Sequence, residues 1–376
     1  MQRILIVTRN LPPLTGGMER LNWHIALELA RYAEIRVVGP LGSKALAPPN
    51  VFIDEVGSTK LGAFLWRSLI AAITICRSWR PTVVLAGSGL TAPMALLAAK
   101  LCGARSAVYA HGLDLTVGHL VYRLVWLRFI ASADVVLVNS AATQHLALAA
   151  GVDKDRIWVV HPGVELPTAH HGRANRSRFQ IGNGKLLLSV GRLTRRKGIL
   201  EFVTGALPII VKRFPEVRFV IVGDVPAHAL AASAQSISSI QEAAVRSGVG
   251  ENVVFAGSIS DGELSELYEA ADLHVFPVRE LANDPEGFGM VAIEAAAHGL
   301  ATVAYRTGGV PDAVAEGRSG TLVEPGDDVS FASAVITLLE RPLQAELARS
   351  FAQEFSWDRI GRKLVAALRL NAPEAF

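Results

Sequence analysis

Short β-rich runs alternate with longer stretches of helical periodicity along most of this chain, the pattern of a parallel sheet covered by helices. In the first half, residues 4–7, 35–38, 82–86, 106–110, 135–138 and 157–160 are predicted strands. Residues 19–31, 91–101 and 140–149 are predicted helices, the last with Ser140 as its N-cap. A polar stretch at 167–180, with His170-His171-Gly172 and several arginines, interrupts the alternation and reads as a linker. The pattern then starts again. Strands are predicted at 186–190, 218–222, 253–256, 273–276, 302–304 and 321–323, and helices at 199–213, 240–247, 261–270, 291–298 and 331–339. The prediction is an α/β protein with two separately wound sheets and a cleft between them, residues 1–166 forming one domain and 167–355 the other. Segment 356–376, helical over 357–370, is expected to cross back onto the first domain.

Composition leaves that picture intact. The chain has 376 residues, 51% hydrophobic and 19% charged, long enough for two domains with full cores and too apolar for disorder. Cys76 and Cys102 lie in apolar stretches at no metal-ligand spacing, and are expected to be buried free thiols of a reducing compartment. Residues 1–8 read as a strand and not as a signal peptide. No uninterrupted apolar run reaches the ~18 residues of a membrane span, so the expected location is cytoplasmic. A net charge of +3 is too mild to point to nucleic acid, and it is compatible with attraction to an anionic membrane surface.

Candidate chemistry gathers in loops that follow predicted strands, where a doubly wound sheet presents its ligand crevice. Glu286 and Glu294 stand eight positions apart, around a turn containing Gly287, Phe288, Gly289 and Met290 that leads into an apolar helix. Amides at a helix start are open to an anion. Eight residues at about 100° each bring Glu294 to roughly 80° from Glu286, close to one face. Amides for phosphate and two carboxylates for hydroxyls suit a sugar nucleotide. An acidic loop followed by a helix with one surface Glu accounts for the same residues. After the strand 186–190, Gly191-Arg192 and Lys197-Gly198 place two cations where a diphosphate would bind. Both would neutralise leaving-group charge without a metal. Arg195 and Arg196 between them read as a solvated basic loop.

In the first half, Gly16-Gly17 follows the first strand and precedes a helix beginning near Met18, allowing close approach of backbone to ligand. A loop built on Pro12 and Pro13 explains it equally. His111 comes directly after the strand 106–110, at the same sheet edge, with Gly112 beside it. Asp114 orients the imidazole, binds an acceptor hydroxyl or caps the next helix. Gly308-Gly309-Val310-Pro311 reads as a structural turn with proline at the helix start. Two motifs are set aside. Gly87-Ser-Gly89-Leu-Thr-Ala92 fits a dinucleotide fingerprint, but no acid stands about 20 residues on to bind ribose. Asp153-Lys-Asp155 looks like a metal-binding pair but sits in a short turn.

In this order, the residues resemble the retaining glycosyltransferases of family 4 (glycosyl transferases group 1), whose GT-B fold has two Rossmann-like domains facing a central cleft. Gly16-Gly17 matches the N-terminal glycine loop and His111-Gly112 the sheet-edge histidine. Arg192 with Lys197 matches the diphosphate pair, and Glu286 with Glu294 the E-x7-E motif. The resemblance covers essentially the whole chain. It implies that Glu286 binds donor-sugar hydroxyls, with the amides of Phe288, Gly289 and Met290 near sugar and phosphates. Glu294 would hold the ribose, Arg192 and Lys197 the departing diphosphate, and His111 would contact the reacting sugar. Gly16 and Gly17 would face diphosphate or acceptor. The implied reaction moves a hexose from GDP-mannose or UDP-glucose to a glycan or lipid-linked acceptor, with retention and without metal or other cofactor. The charged stretch 279–286 is similar to the phosphatidylinositol mannosyltransferase-like subgroup and favours GDP-mannose. One departure is the segment after 218–222, where Gly223-Asp224-Val225-Pro226 leads into an Ala/Ser-rich insertion.

Two segments, 61–79 and 115–130, are unusually apolar for surface helices and are interrupted or flanked by Arg67, Arg77, Arg80, Arg123 and Arg128. They could rest on a bilayer, although core packing explains most of their apolar residues, and Arg123 and Arg128 do not share a helical face. Competing functions are a GT-B sugar-nucleotide epimerase or hydrolase, a dinucleotide oxidoreductase and a silent binding subunit. The ordered cation and carboxylate motifs favour the transferase over all three.

Overall fold

The computed structural model describes residues 2–57, 60–167, 184–225, 234–282 and 284–370. The predicted linker from 168 onward and the insertion at 226–233 lie outside the described residues. The chain divides into two compact units, Met1–Gly163 with Trp357–Phe376, and Val164–Ser356.

The first unit is built on seven parallel strands: β1 (Arg3–Val7), β2 (Glu34–Pro40), β3 (Val51–Val56), β4 (Val83–Ala86), β5 (Arg105–Ala110), β6 (Val135–Val138) and β7 (Ile157–Val159). Their order is β3-β2-β1-β4-β5-β6-β7. β3 has no counterpart among the predicted strands. It lies at the sheet edge, where only alternate residues are buried, so Asp54 and Glu55 interrupt the apolar signal. Asp54 is held there by Arg36 of β2 at 2.9 Å. The second unit has six parallel strands: β8 (Leu186–Val190), β9 (Arg218–Val222), β10 (Val253–Gly257), β11 (Leu273–Phe276), β12 (Thr302–Tyr305) and β13 (Gly320–Val323). Their order is β10-β9-β8-β11-β12-β13. In both sheets the order reverses beside the first strand, between β1 and β4 and between β8 and β11. Loops leaving the C-terminal ends of those strands part to opposite faces and open a crevice.

Helices differ from the prediction in several places, among them an unpredicted helix Ala345–Gln353. The helix expected over 199–213 is two, Ile199–Thr204 and Ala206–Arg213. A Cβ at Gly205 would fall 2.1 Å from Asp328 Oδ2, so the glycine leaves room for a carboxylate whose other oxygen accepts from the Tyr305 hydroxyl at 2.6 Å. The segment 115–130 is likewise broken. A helix Gly112–Thr116 ends before a π turn, Tyr122–Trp126, that runs into the helix Leu127–Ser132. In that turn the Leu127 amide bonds to the carbonyl of Tyr122, five residues back. This turn departs from the regular α spacing on which the comparison of Arg123 with Arg128 rests.

The helix Leu61–Trp79 matches its predicted span. With Arg67 and Arg77 included, it is long and apolar enough to cross a membrane by length and composition, at mean hydropathy 1.3 and 33% buried. Its buried face, including Phe64, Leu65, Ala72 and Ile75, packs on the helix Ala92–Cys102.

The closing helix Trp357–Ala367 packs against the helix Gly17–Leu29 of the first unit. Trp357 stacks on His24 with ring centroids 4.2 Å apart and planes 6° from parallel. Ile360 and Leu364 join Ile4, Ile6 and Ile25 in one core cluster. Opposite the indole lies Gly163, where a Cβ would sit 2.4 Å from the ring. Gly163→Ala should therefore lower stability by about 1–3 kcal/mol through overpacking, read as a reduced thermal midpoint. On a Trp357→Leu background the same change should cost much less, because the two sites share the strain. Equal costs in both backgrounds would show that the indole is not what Gly163 accommodates.

Candidate active site

The chemistry of the second unit collects at its switch point. β8 delivers the loop 191–198 and β11 the loop 277–289, and the β-strand order sends them to either side of the same crevice. Close backbone approach holds the loops together. Gly198 has φ +68°, and a Cβ there would fall 1.9 Å from the Pro277 carbonyl oxygen. The Arg279 amide donates to the carbonyl of Arg196 at 2.8 Å. Gly289, at φ +101°, presses against the Phe276 ring, which would be 2.9 Å from a Cβ. Only glycine meets both demands at these positions.

This apposition joins residues 89 apart in sequence: Lys197 Nζ donates to Glu286 Oε2 at 2.8 Å. The ammonium also lies 4.7 Å from the centre of the Phe276 ring. Arg196 approaches the same carboxylate, with Nε 3.4 Å from Oε2, and its Nη1 donates to Asp284 Oδ1 at 3.0 Å and to the Pro285 carbonyl at 3.1 Å. The side chains of Arg196, Lys197 and Glu286 are 16%, 14% and 11% exposed, so this is a largely desolvated cluster. Behind Glu286, the Gly309 amide donates to its backbone carbonyl at 2.8 Å.

Electrostatics follow from that geometry. Burial pushes the Glu286 carboxyl up, but the charges of Arg196 and Lys197 more than offset it and hold the pKa at about 2. Lys197 moves down from its ordinary value because burial outweighs the attraction of Glu286, with the Arg196 charge adding to the shift. His274 of β11 is fully buried, with Nδ1 3.0 Å from Thr302 Oγ1. Burial, helped by the Lys197 charge, lowers its pKa to about 3, so it stays a neutral neighbour.

Several expectations need correction. The α-helix starts at Met290, so Glu286 stands before it in the loop. Its placement comes from Lys197, Arg196 and Gly309, and the helical-periodicity argument linking it to Glu294 does not apply. Glu294 is on the helix Met290–Ala297 and accepts from the Tyr268 hydroxyl at 3.2 Å. Arg196 is not a solvated loop residue. Arg192 and Arg195 are the exposed members of this loop, and the charge of Arg192 acts on both Lys197 and Glu286. Gly287 lies in the loop and Gly289 caps the helix, while the Phe288 side chain is buried against Phe355. First-turn amides of a helix have no acceptor inside it, so this turn presents donors beside Glu286.

In the first unit, His111 lies just past β5 and is 7% exposed, with Nε2 3.4 Å from the Gly87 carbonyl oxygen. Asp114 takes the capping role: one oxygen, Oδ2, accepts the His111 amide at 3.0 Å and the Gly89 amide at 2.9 Å. It thereby ties the loop after β5 to the loop after β4. Gly16 and Gly17 do open a helix, but Glu19 in its first turn folds back so that its Oε2 would be 2.4 Å from a Gly16 Cβ. Asn10 Nδ2 anchors that carboxylate at 2.7 Å. A carboxylate at this helix start opposes binding of another anion there. Asp153 caps its turn by accepting the Asp155 amide at 3.0 Å, as the solvated-turn reading requires. Cys76 is buried and Cys102 half-buried, and both are free.

Sequence reasoning missed Glu19, Arg196 and Tyr268. Glu19 stands two positions after the glycine pair and had a visible signal. Arg196 and Tyr268 had none, since their partners come from elsewhere in the chain.

Fold and site together define a nucleotide-binding type of two-unit α/β enzyme, and comparison with known proteins makes the class specific. Residues 15–167 match the family model Glycosyltransferase Family 4 and residues 184–341 that of Glycosyl transferases group 1. A GDP-mannose-dependent alpha-(1-6)-phosphatidylinositol monomannoside mannosyltransferase of Mycolicibacterium smegmatis is 30% identical over 91% of this chain and 90% of its own. A D-inositol 3-phosphate glycosyltransferase of Acidothermus cellulolyticus is 33% identical over 64% of this chain and 54% of its own. Among solved structures, Anabaena HepE in complex with UDP-glucose superposes with a TM-score of 0.78 at 20% identity, over 98% of this chain and 100% of that one, a likeness of fold. The chain belongs to glycosyltransferase family 4, with the GT-B fold, and is a glycosyltransferase.

Removing one partner of the buried pair leaves an uncompensated charge. Lys197→Met should destabilise the protein by about 3 kcal/mol, and adding Glu286→Gln should restore most of that, measured by urea unfolding. The carboxyl's folded pKa lies below its unfolded value near 4.5, so its contribution is complete above that pH and disappears as pH falls towards 2. The stability difference between unaltered protein and Glu286→Gln should narrow across that window.

Proposed function

We propose that the protein transfers a hexose from a nucleotide-sugar donor to a glycan or lipid-linked acceptor, retaining anomeric configuration and needing no dedicated metal. The junction of Lys197 and Glu286 at the switch point of the second sheet carries this reading. A carboxyl with a pKa of about 2 is a weak base and nucleophile, which favours Glu286 as a ligand of sugar hydroxyls. Lys197 and Arg192 supply positive charge for the departing diphosphate, beside the amides of Phe288, Gly289 and Met290. Glu294, steadied by Tyr268, is assigned to ribose hydroxyls. His111 remains a proposed member of the catalytic set on its position at the C-terminal edge of its own sheet. Asp114, engaged by two amides, is assigned to positioning His111 and not to the acceptor.

In the same-face mechanism we favour, the bond from the sugar C1 to the diphosphate oxygen breaks while the acceptor oxygen bonds to C1 on that face. The acceptor proton passes to the departing phosphate oxygen. The name of the Mycolicibacterium relative favours GDP-mannose over UDP-glucose, and inositol in both relatives' names favours an inositol-bearing acceptor.

A peripheral place on the inner face of the cell membrane is part of the proposal. Trp66 and Ile70 on the helix Leu61–Trp79, Leu97 and Leu101 on the neighbouring helix, and Leu120 and Leu124 are all exposed. Exposed Arg67, Arg77, Arg123 and Arg128 lie among them. Apolar side chains framed by cations suit an anionic bilayer surface.

A panel of nucleotide sugars tests the reaction. Turnover is expected with GDP-mannose, unchanged by EDTA, with the product anomer matching the donor by NMR. Glu286→Ala should lose at least about 100-fold in kcat/KM with its fold intact. Tight binding of NAD with no nucleotide-sugar turnover would overturn the proposal, and an inverted product would remove the mechanism. For the membrane, co-sedimentation with phosphatidylglycerol vesicles is expected and should fall in Trp66→Ser/Ile70→Ser. Absence of binding by the native protein at low salt would remove that part.

A further inference from the structure

Two cations contact Glu286, Lys197 and Arg196, and a third, Arg192, acts on it by charge; the reaction as proposed uses only Lys197 and Arg192. Arg196 is left over, yet it is the more elaborately held cation. Its Nη1 donates to Asp284 Oδ1 at 3.0 Å and to the Pro285 carbonyl at 3.1 Å, and its Nε stands in ion-pair contact, without a hydrogen bond, 3.4 Å from Glu286 Oε2, so it meets three consecutive residues of the loop after β11. Its own carbonyl accepts the Arg279 amide at the other end of that loop, at 2.8 Å. Arg196 thus clamps the loop at both ends to the turn Arg195–Lys197. Both it and Lys197 address the same carboxylate oxygen, Oε2. Among the described residues no hydrogen bond reaches Oε1. A planar fork can meet several acceptors at fixed angles, which a single ammonium cannot.

We infer that Arg196 is a positioning residue of this site, which fixes the Glu286 carboxylate through Oε2 so that Oε1 is presented to the donor sugar. This rests on the reading of Glu286 as a ligand of sugar hydroxyls. Arg196 touches neither diphosphate nor sugar. It acts through Glu286 and, by anchoring Asp284, through the path of the loop. Two consequences distinguish it from Arg192 and Lys197. Loss of Arg196 disturbs sugar placement while leaving affinity for the nucleoside diphosphate in place. It also removes the largest of the three positive charges that keep the carboxyl ionised in a buried site, so protonation of Glu286 moves to higher pH.

The experiment compares Arg196→Gln, Arg196→Lys, Asp284→Asn and Glu286→Gln with the unaltered protein, using steady-state GDP-mannose turnover from pH 4 to 8 and calorimetric titration with GDP and UDP. Arg196→Gln should lower kcat about 10- to 100-fold, the scale on which small misplacements act. GDP affinity should stay within about twofold, and the acid limb of kcat/KM, which a Glu286 pKa of about 2 keeps below this pH range in the unaltered protein, should rise into it. Arg196→Lys keeps the charge but not the fork, so its acid limb should stay near the native position while kcat remains reduced. Asp284→Asn should show a smaller kcat loss with no shift of the limb, guarding against a folding defect in the Arg196 variants. If Arg196→Gln weakens GDP binding more than tenfold, Arg196 contacts the diphosphate and the positioning role is wrong. If Glu286→Gln is inactive but Arg196→Gln retains native kcat and acid limb, the inference fails while the assignment of Glu286 survives. Native activity in Glu286→Gln would instead remove that assignment itself.

Discussion

A carboxylate in a site only about one-tenth exposed, Glu286, is kept ionised by two cations that reach it from a different loop. Taking such charges out of water costs several kcal/mol per ion, and mutual attraction offsets this only when geometry is good and further hydrogen bonds complete the set. Those conditions constrain everything around the site. The loops after β8 and β11 must lie against each other, which requires Gly198 to accommodate the Pro277 carbonyl and Gly289 to accommodate the Phe276 ring. The neighbouring imidazole, His274, must remain uncharged, and its burial ensures that. A cluster arranged in this way is set before substrate arrives, so its dipoles and charges need not reorganise during reaction.

The topology supplies the position at which this arrangement is possible. Right-handed crossovers carry the chain from β8 to β9 and β10 on one side, and then from β10 back past β8 to β11 on the other, which sends helices to opposite faces and parts the loops above the β8–β11 gap. The first unit repeats the plan around β1 and β4 but fills its loops with different chemistry. There, carboxylates of Glu19 and Asp114 engage backbone amides and Asn10, while His111 lies over the Gly87 carbonyl. One crevice is lined by cations around a fixed acid, the other by acids that organise backbone around an imidazole. The same fold thus carries two electrostatically distinct sites, a division consistent with function residing in loops grafted on a common frame.

Much of the fold was legible because buried parallel strands announce themselves as apolar runs with turn residues between them. All six strands of the second sheet coincide with predicted runs, their ends differing by a residue at most. β3 escaped because an edge strand buries alternate residues only, and Asp54 and Glu55 broke the signal. The single helix expected over 199–213 was a reasonable reading of periodicity, and Gly205 splits it for a reason located at Asp328, more than a hundred residues away. The π turn at 122–126 likewise has no local mark in composition.

For the site, the sequence by itself determined which side chains are available and that they follow strand ends: Lys197 after β8, Glu286 after β11, His111 after β5. Residue type and order sufficed for this, because backbone propensity and hydrophobic burial are local or periodic properties. What each charge touches was decided only by the tertiary structure. Arg196 looked like one of several solvated arginines, since nothing within its own loop pairs with it. Its partners Asp284 and Glu286 arrive across the sheet. Tyr268 became a support for Glu294 in the same way. Electrostatic and hydrogen-bonding roles depend on distances between segments remote in the chain, and those distances exist only once the sheet has ordered its strands.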